Sequence, residues 1–480
     1  MRRYIAFQHL MKSLFCAGTL LALSLCGMTA ATAASDVASV DGGFRKIMLA
    51  TNTVDPMELG VAPDGRVIFI ERIGTVKIWK PDTRNVVVAG TLPVFYHRNG
   101  EKNVSWEDGL IGLALDPEFS RNRWIYFYHS PTNVDASENR VSRFVLQEDR
   151  LVMNSEKIVL RVPVERNVCC HAAGSLAFDG DGNLFISTGD NTNPFESDGF
   201  APLDDRPNRR GFDAARTAGN TADLRGKILR IHPEADGSYT IPKGNLFPAG
   251  TPQTRPEIFV MGNRNPFRIG VDRPTGTLYW GEVGPDAQEA RPERGPAGFD
   301  EFNRTRTAGN FGWPFVIADN KSYRRHDFAT KISGDAFDPA KVQNLSVNNT
   351  GLKDLPPAQP AWVWYPYAPS ARFPMVGSGS RTACAGPVYH FDERLRSPRK
   401  LPREFDSTLF LYDWARNTLF AAQLDARGNI SSMRRFLTQF TFKHPGEMEM
   451  GPDGCLYLIE FGTNWESNKD SRVVRLEYAP

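Results

Sequence analysis

The sequence shows no excess of either charge: 57 Lys and Arg stand against 55 Asp and Glu in 480 residues. A phosphate backbone asks for a basic surplus, so no nucleic-acid partner is expected. Cysteine is scarce, six in all, and no two follow the C-x-x-C spacing of a zinc ribbon. Long apolar runs are also missing. The one such stretch, Leu14 to Leu25, is too short for a bilayer core of ~30 Å, so no membrane span is expected. Strongly amphipathic helical stretches do not alternate with the strand-like segments, which excludes a parallel α/β fold. The apolar set makes up 41% of the chain and charged residues 23%; neither fits a disordered or fibrous polymer.

The N-terminus carries an export pattern. Arg2, Arg3 and Lys12 precede the apolar run, and Ala31-Thr32-Ala33 follows it as a small-x-small cleavage site. Residues 1–33 therefore read as a secretory signal peptide, with Met11 an equally good start, and the protein is expected to be periplasmic or secreted. Cys16 and Cys26 leave with that segment. Cys169, Cys170, Cys384 and Cys455 remain, and four cysteines allow three pairings. The adjacent pair Cys169-Cys170 would make a strained, rare bond; the expectation is that one or both are free or paired elsewhere.

Glycine (41) and proline (34) are frequent, as in a turn-rich all-β chain. A short unit recurs: an apolar strand, a turn of Asp, Pro and Gly, then a second apolar strand. Its copies are MELGVAPDGRVIFIERIGTVKIW (57–79), IGLALDPEFSRNRWIYFYHS (111–130), GSLAFDGDGNLFISTGD (174–190), FRIGVDRPTGTLYWGEVGP (267–285), a degenerate STLFLYDWARNTLFAAQLD (407–425) and GEMEMGPDGCLYLIEFGTN (446–464). One such unit cannot bury both faces of its sheet, whereas radial stacking of several does so and hides most edges. The expected fold is an all-β, six-bladed β-propeller formed as a single domain by residues 34–480. A long insertion is expected around 318–405, where Pro356, Pro357, Pro360, Pro366, Pro369 and Pro374 cluster.

Propeller loops converge on the axis, so polar residues at strand ends carry the chemistry. His171, in CCHAAG before the third copy, reads as a base near neutral pH or as a structural histidine. Arg264 and Asn265, in GNRNP before the fourth copy, offer a rigid guanidinium fork and an amide to an anionic partner, or simply stabilise their loop. Gly284-Pro285-Asp286 ends that copy; backbone carbonyls at a Gly-Pro turn suit Ca²⁺. DEFN (300–303) and AGNFGWP (308–314) form either a second oxygen-rich cation site or a packed strand and turn.

Taken in order, EDGLIGLALDPEF, HAAGSLAFDGDGNLFISTGD, LRGKILRI, GNRNPFRIGVD, GEVGPDA, DEFN and GNFGWP resemble the soluble sugar dehydrogenases that use pyrroloquinoline quinone (PQQ), the glucose/sorbosone dehydrogenase family of six-bladed propellers. The resemblance runs from about Pro56 to the end, weakly between 320 and 405. It implies that His171 is the general base for the sugar C1 hydroxyl and that Arg264 and Asn265 hold the quinone oxygens. It further implies that the carbonyls of Gly284 and Pro285 bind Ca²⁺ beneath the cofactor, and that Glu301 and the backbone at Phe311 belong to a second, structural Ca²⁺ site. Arg416 falls near a cation that meets a cofactor carboxylate. Glu107 stands where glucose-oxidising members carry Gln, Cys170 where they carry Asp. Lys443 is the one full cation near the place of their C-terminal arginine pair.

The implied reaction is oxidation of an aldose-type sugar at C1, with hydride passing to PQQ, a proton to His171, and Ca²⁺ and Arg264 stabilising the developing charge. No C-x-x-C-H haem signature is present, so a separate electron acceptor is implied. Two other readings fit the same scaffold: a Ca²⁺-dependent lactonase, and a propeller that binds carbohydrate or protein without turnover.

Overall fold

Runs such as VIFIE (Val67–Glu71) and TVKIW (Thr75–Trp79) favour extended backbone because β-branched and aromatic side chains pack well on a pleated surface. Between these two strands Gly74 adopts φ 104° and donates its amide to the Glu71 carbonyl, 2.9 Å away, closing a turn that a Cβ would strain. The computed structural model describes residues 41–96, 107–132, 137–195 and 197–479. The expected signal peptide lies outside the described residues.

Repeated hairpins of this kind build a six-bladed β-propeller, with six four-strand antiparallel units. The inner strands of blades 1 to 6 are Pro56–Val61, Leu110–Leu115, Ala173–Phe178, Arg268–Asp272, Ala383–Tyr389 and Pro445–Met450, and they neighbour one another in ring order. Second strands such as Val67–Glu71, Leu184–Thr188 and Leu456–Glu460 are buried along their whole length, because each sheet is covered on both faces by adjacent blades. Blade 6 takes its outermost strand from the front of the chain: Phe44–Thr53 pairs antiparallel with Ser471–Tyr478, Phe44 opposite Tyr478. Among the described residues no helix is long and apolar enough to cross a membrane.

Charge stitches the axis together. Arg268, fully buried, donates from Nε to the Gly446 carbonyl (2.9 Å), from Nη1 to Phe267 (2.9 Å) and from Nη2 to Met57, and it pairs with Glu447 at 2.8 Å. Glu58 of blade 1 accepts from the Leu113 amide of blade 2 and from Ser175 Oγ of blade 3 (2.6 Å). Burial pushes its carboxyl up to about 7, although Arg268 pulls the other way.

The fifth sequence copy is out of register with the rest. Copies two to four and six cover the first two strands of their blades and copy one the first three, whereas 407–425 covers the second and third strands of blade 5, Thr408–Asp413 and Thr418–Leu424. The inner strand, Ala383–Tyr389, reads ACAGPVY. It lacks a tight Asp-Pro-Gly hairpin because residues 390–407 loop out before the chain returns. A Cβ on Gly386 of this strand would lie 2.9 Å from the Phe410 carbonyl, and one on Gly270 of blade 4 would lie 2.7 Å from the Gly386 carbonyl.

The excursion between the third and fourth strands of blade 4 spans residues 306–362, starting before the insertion expected around 318–405 and ending within it. Gly309–Asn310 joins blade 3 by pairing in parallel with Ile258–Met261. Two small hairpins follow, Val316–Ile317 with Lys321–Ser322, and Arg324–Asp327 with Ile332–Ala336. Val363–Tyr365 then completes blade 4 and Ala383–Tyr389 opens blade 5. Contrary to expectation, Cys169 and Cys170 are paired with each other, while Cys384 and Cys455 are free and buried.

Candidate active site

The loop that leads into the inner strand of blade 3 carries His171. Cys170, His171 and Ala173 all have positive φ, 79°, 61° and 50°, a region non-glycine residues rarely enter. Neighbouring groups hold the loop there. Glu107 Oε2 accepts from the Ala172 amide at 2.8 Å, and Asn265 Oδ1 accepts from the Ala173 amide at 3.0 Å. Gly189 lies so close beneath that a Cβ would collide with the His171 carbonyl.

The imidazole is 5% exposed, with Nδ1 2.6 Å from Asp190 Oδ1. Asp190 is fully buried; Oδ1 also accepts from the Thr192 amide (3.0 Å) and Oδ2 from Trp313 Nε1 (2.8 Å). A carboxylate is acceptor-only, so this contact assigns the proton to Nδ1 and leaves the lone pair on Nε2.

Arg264 is tied to that pair through its carbonyl, which accepts from the Asp190 amide at 2.8 Å. The amides of Arg264 and Asn265 both donate to Glu282 Oε1, at 2.8 and 2.6 Å, and Arg264 Nη1 donates to the Val283 carbonyl at 2.9 Å. Burial drives the Glu282 carboxyl well above the ordinary range, against those two amide bonds.

The next turn follows directly. Gly284 donates its amide to Asp300 Oδ1 at 3.0 Å, and the Pro285 carbonyl accepts from Arg381 Nη2 at 2.5 Å. Arg381 is also ion-paired to Asp300, Nε to Oδ1 3.0 Å, with both side chains 1% exposed. Its guanidinium lies 4.0 Å from the Tyr367 ring centre. Burial raises the Asp300 carboxyl to about 6, while the Arg381 charge lowers it.

A cavity of about 90 Å³ opens at the axis. It is lined by Glu107, Ala172, Ala173, Asn265, Trp414 and Trp465, among others. Trp414 stacks on His444 at 4.0 Å, and Trp465 meets its edge at 5.6 Å while remaining 55% exposed. This combination of an apolar wall with few polar groups suits a planar or pyranose ring.

His171, Arg264, Asn265, Glu107, Gly284 and Pro285 are thus joined by an unbroken chain of contacts. Four other expected residues have different employment. Arg416 donates to four carbonyls, Ser380 (2.9 Å), Val376 (3.0 Å), Pro366 (2.9 Å) and Gly379 (3.0 Å). Lys443 pairs with Asp470 at 2.8 Å. Glu301 accepts from the Ala318 amide (2.5 Å) and from Asn303 Nδ2 (2.8 Å), and burial raises it to about 7. Phe311 donates its amide to the Met261 carbonyl at 2.9 Å and sets its ring edge-on to Trp280. Among the described residues no three or more His, Cys, Asp or Glu side chains group as metal ligands. Asp190, Trp313 and Arg381 were not singled out from sequence, although the first two lie within the quoted FISTGD and GNFGWP strings.

Comparison with known proteins now bears on this geometry. A family model described as glucose/sorbosone dehydrogenase matches residues 53–353. The chain belongs to this family. The aldose sugar dehydrogenase YliI of Escherichia coli (strain K12) is 26% identical over 264 residues, 54% of this chain and 59% of the relative. Quinoprotein glucose dehydrogenase B of Acinetobacter calcoaceticus is 24% identical over 309 residues, 62% of this chain and 58% of the relative. The chain therefore spans about three fifths of the length of these two family relatives. The PQQ-bound aldose sugar dehydrogenase from Streptomyces coelicolor matches with a TM-score of 0.55 at 18% identity, covering 90% of this chain and 98% of the other. At that identity the likeness speaks for the fold.

Proposed function

We propose that this protein is a PQQ-dependent dehydrogenase that oxidises an aldose-type sugar at C1, with His171 as general base. The observation that carries the reading is the buried His171–Asp190 pair, 2.6 Å apart and backbone-linked to Arg264. Membership of the family supports it, as does the similarity to a quinoprotein glucose dehydrogenase. The residues fit a planar polyanion: Arg264 lends a fork, and Arg381 Nη1 is buried with no hydrogen-bond partner among the described residues. When bound, the quinone supplies the two-electron acceptor for the hydride.

The remaining work falls to the chain's own side chains. Asp190 fixes Nδ1–H, so that Nε2 is free to take the C1 hydroxyl proton. Trp313 holds the second Asp190 oxygen and prevents the carboxylate from swinging away. A positioned base of this kind contributes about 10²–10⁴-fold. Arg264 offers a cationic fork to oxygen that gains negative charge. Asn265 and Glu107 act on the base indirectly, by clamping the 172–173 amides. Trp414 and Trp465 give a face on which a ring stacks. The Gly284–Pro285 carbonyls do not fit a divalent cation as they stand, because a guanidinium already donates to one of them; no step is routed through Ca²⁺. The missing haem signature supports a separate electron acceptor, and the N-terminal export pattern supports a periplasmic or secreted site of action.

His171→Ala is expected to bind PQQ within about twofold of the parent, by tryptophan quenching, while dye reduction with aldoses falls about 10²–10⁴-fold. Asp190→Asn is expected to lose about 10²-fold or more with a displaced pH profile, because it can stabilise the wrong tautomer. Unchanged turnover in His171→Ala overturns the assigned role. Failure of the parent to bind PQQ favours the binding propeller, and quinone-free lactone hydrolysis favours the lactonase.

A further inference from the structure

We infer that Arg381 is the resident cation of the Gly284–Pro285 turn: its guanidinium stands at the Pro285 carbonyl where the family resemblance calls for Ca²⁺, so quinone binding by this chain requires no divalent ion there. The inference rests on the quinone-dependent reading of the same site. Four observations carry it. Arg381 Nη2 donates to the Pro285 carbonyl at 2.5 Å, so one of the two expected calcium ligands already has a cationic partner. The side chain is 1% exposed and is ion-paired to Asp300 at 3.0 Å, while Asp300 also takes the Gly284 and Ala383 amides. A carboxylate, a guanidinium and the turn thereby form one locked unit.

The backbone makes room for this arrangement. A Cβ at Gly298 would run into the Pro285 carbonyl and come within 2.7 Å of Arg381 Nη2. Finally, Arg381 Nη1 is buried and has no hydrogen-bond partner among the described residues. A buried donor of this strength is costly to leave unmade. An anionic ligand oxygen would complete it.

Calcium uptake is measured first, by titration calorimetry on EDTA-treated protein without quinone. Arg381→Met paired with Asp300→Asn, which avoids a stranded buried carboxylate, is compared with the parent. PQQ binding is then followed by tryptophan quenching in EDTA and in millimolar CaCl₂. The parent is expected to bind PQQ equally in both, within about twofold. Arg381→Met/Asp300→Asn is expected to lose at least about tenfold in PQQ affinity, and Arg381→Lys to keep most of it. A parent whose PQQ affinity collapses in EDTA and returns with calcium overturns the inference. So does a parent that takes up one calcium ion which an Asp300→Asn change removes. If the parent binds no PQQ in either buffer, the quinone reading fails; the calcium titration still decides whether Arg381 holds the divalent ion out.

Discussion

Glu301 spends both carboxyl oxygens inside the protein, on Ala318 and Asn303, and burial raises its carboxyl from 4.5 to about 7. The folded state therefore holds this proton where the unfolded chain releases it. The penalty is absent below about pH 4.5, grows as pH rises, and is complete above about pH 7, at about 3 kcal/mol. His129, lowered to about 4 by burial, works in the opposite sense between about pH 4 and 6.5. Comparison with Glu301→Gln cancels that background. The parent is expected to lose stability relative to the variant, by denaturant titration, as pH rises from 4.5 to 7.5; parallel curves would refute this. At this same scale the site was partly legible. His171 and Arg264 announced themselves through their own neighbours in sequence. Their partners did not: Asp190 lies 19 residues from His171, Trp313 lies 123 from Asp190, and Arg381 lies 96 from Pro285. The first gap is closed by the blade 3 hairpin and the other two by the ring, and a lone Asp or Arg in a loop carries no signal of what it will meet.

Among the loops, the one between blades 4 and 5 leans heavily on one side chain, although Arg435 also holds the Met375 carbonyl. Arg416 gathers the carbonyls of Pro366, Val376, Gly379 and Ser380, and its charge strengthens each bond. Arg416→Ala is expected to cost about 3 kcal/mol, with faster amide exchange concentrated in residues 366–382. Exchange that rises evenly over all blades would contradict a local role. The loop also explains why blade 5 was hard to read. Tight turns built from Asp, Gly and Pro mark the first two strands of blades 1, 3, 4 and 6, and in blade 2 Asp116 to Arg123 links them through a short helix, Phe119–Asn122. In blade 5 the inner strand is short-side-chained and separated from its neighbour by residues 390–407, so the pattern reappears one strand late. The Cys169–Cys170 bond was read against for a comparable reason: chain statistics disfavour adjacent pairs, whereas here the bond sits in a loop whose Cys170 and His171 both take positive φ.

For the molecule as a ring, the count of six blades could be read from turn chemistry, but the mode of closure could not, since it joins residues more than four hundred positions apart. Phe44–Thr53 covers Ser471–Tyr478 from Phe44↔Tyr478 to Thr53↔Ser471. Deleting residues 471–480 leaves Leu456–Glu460 and Phe44–Thr53 without a shared neighbour, and unpaired strand edges invite association. The truncated protein is expected to collect in the insoluble fraction or the void volume of a sizing column; a monodisperse monomer would refute the importance of the seam. The same join imposes an order of events during biosynthesis. Phe44–Thr53 is made more than four hundred residues before Ser471–Tyr478, and it stays partnerless until that mate is delivered. A copy cut short before Ser471–Tyr478 has no strand with which to shut the ring and keeps a bare edge at Phe44–Thr53.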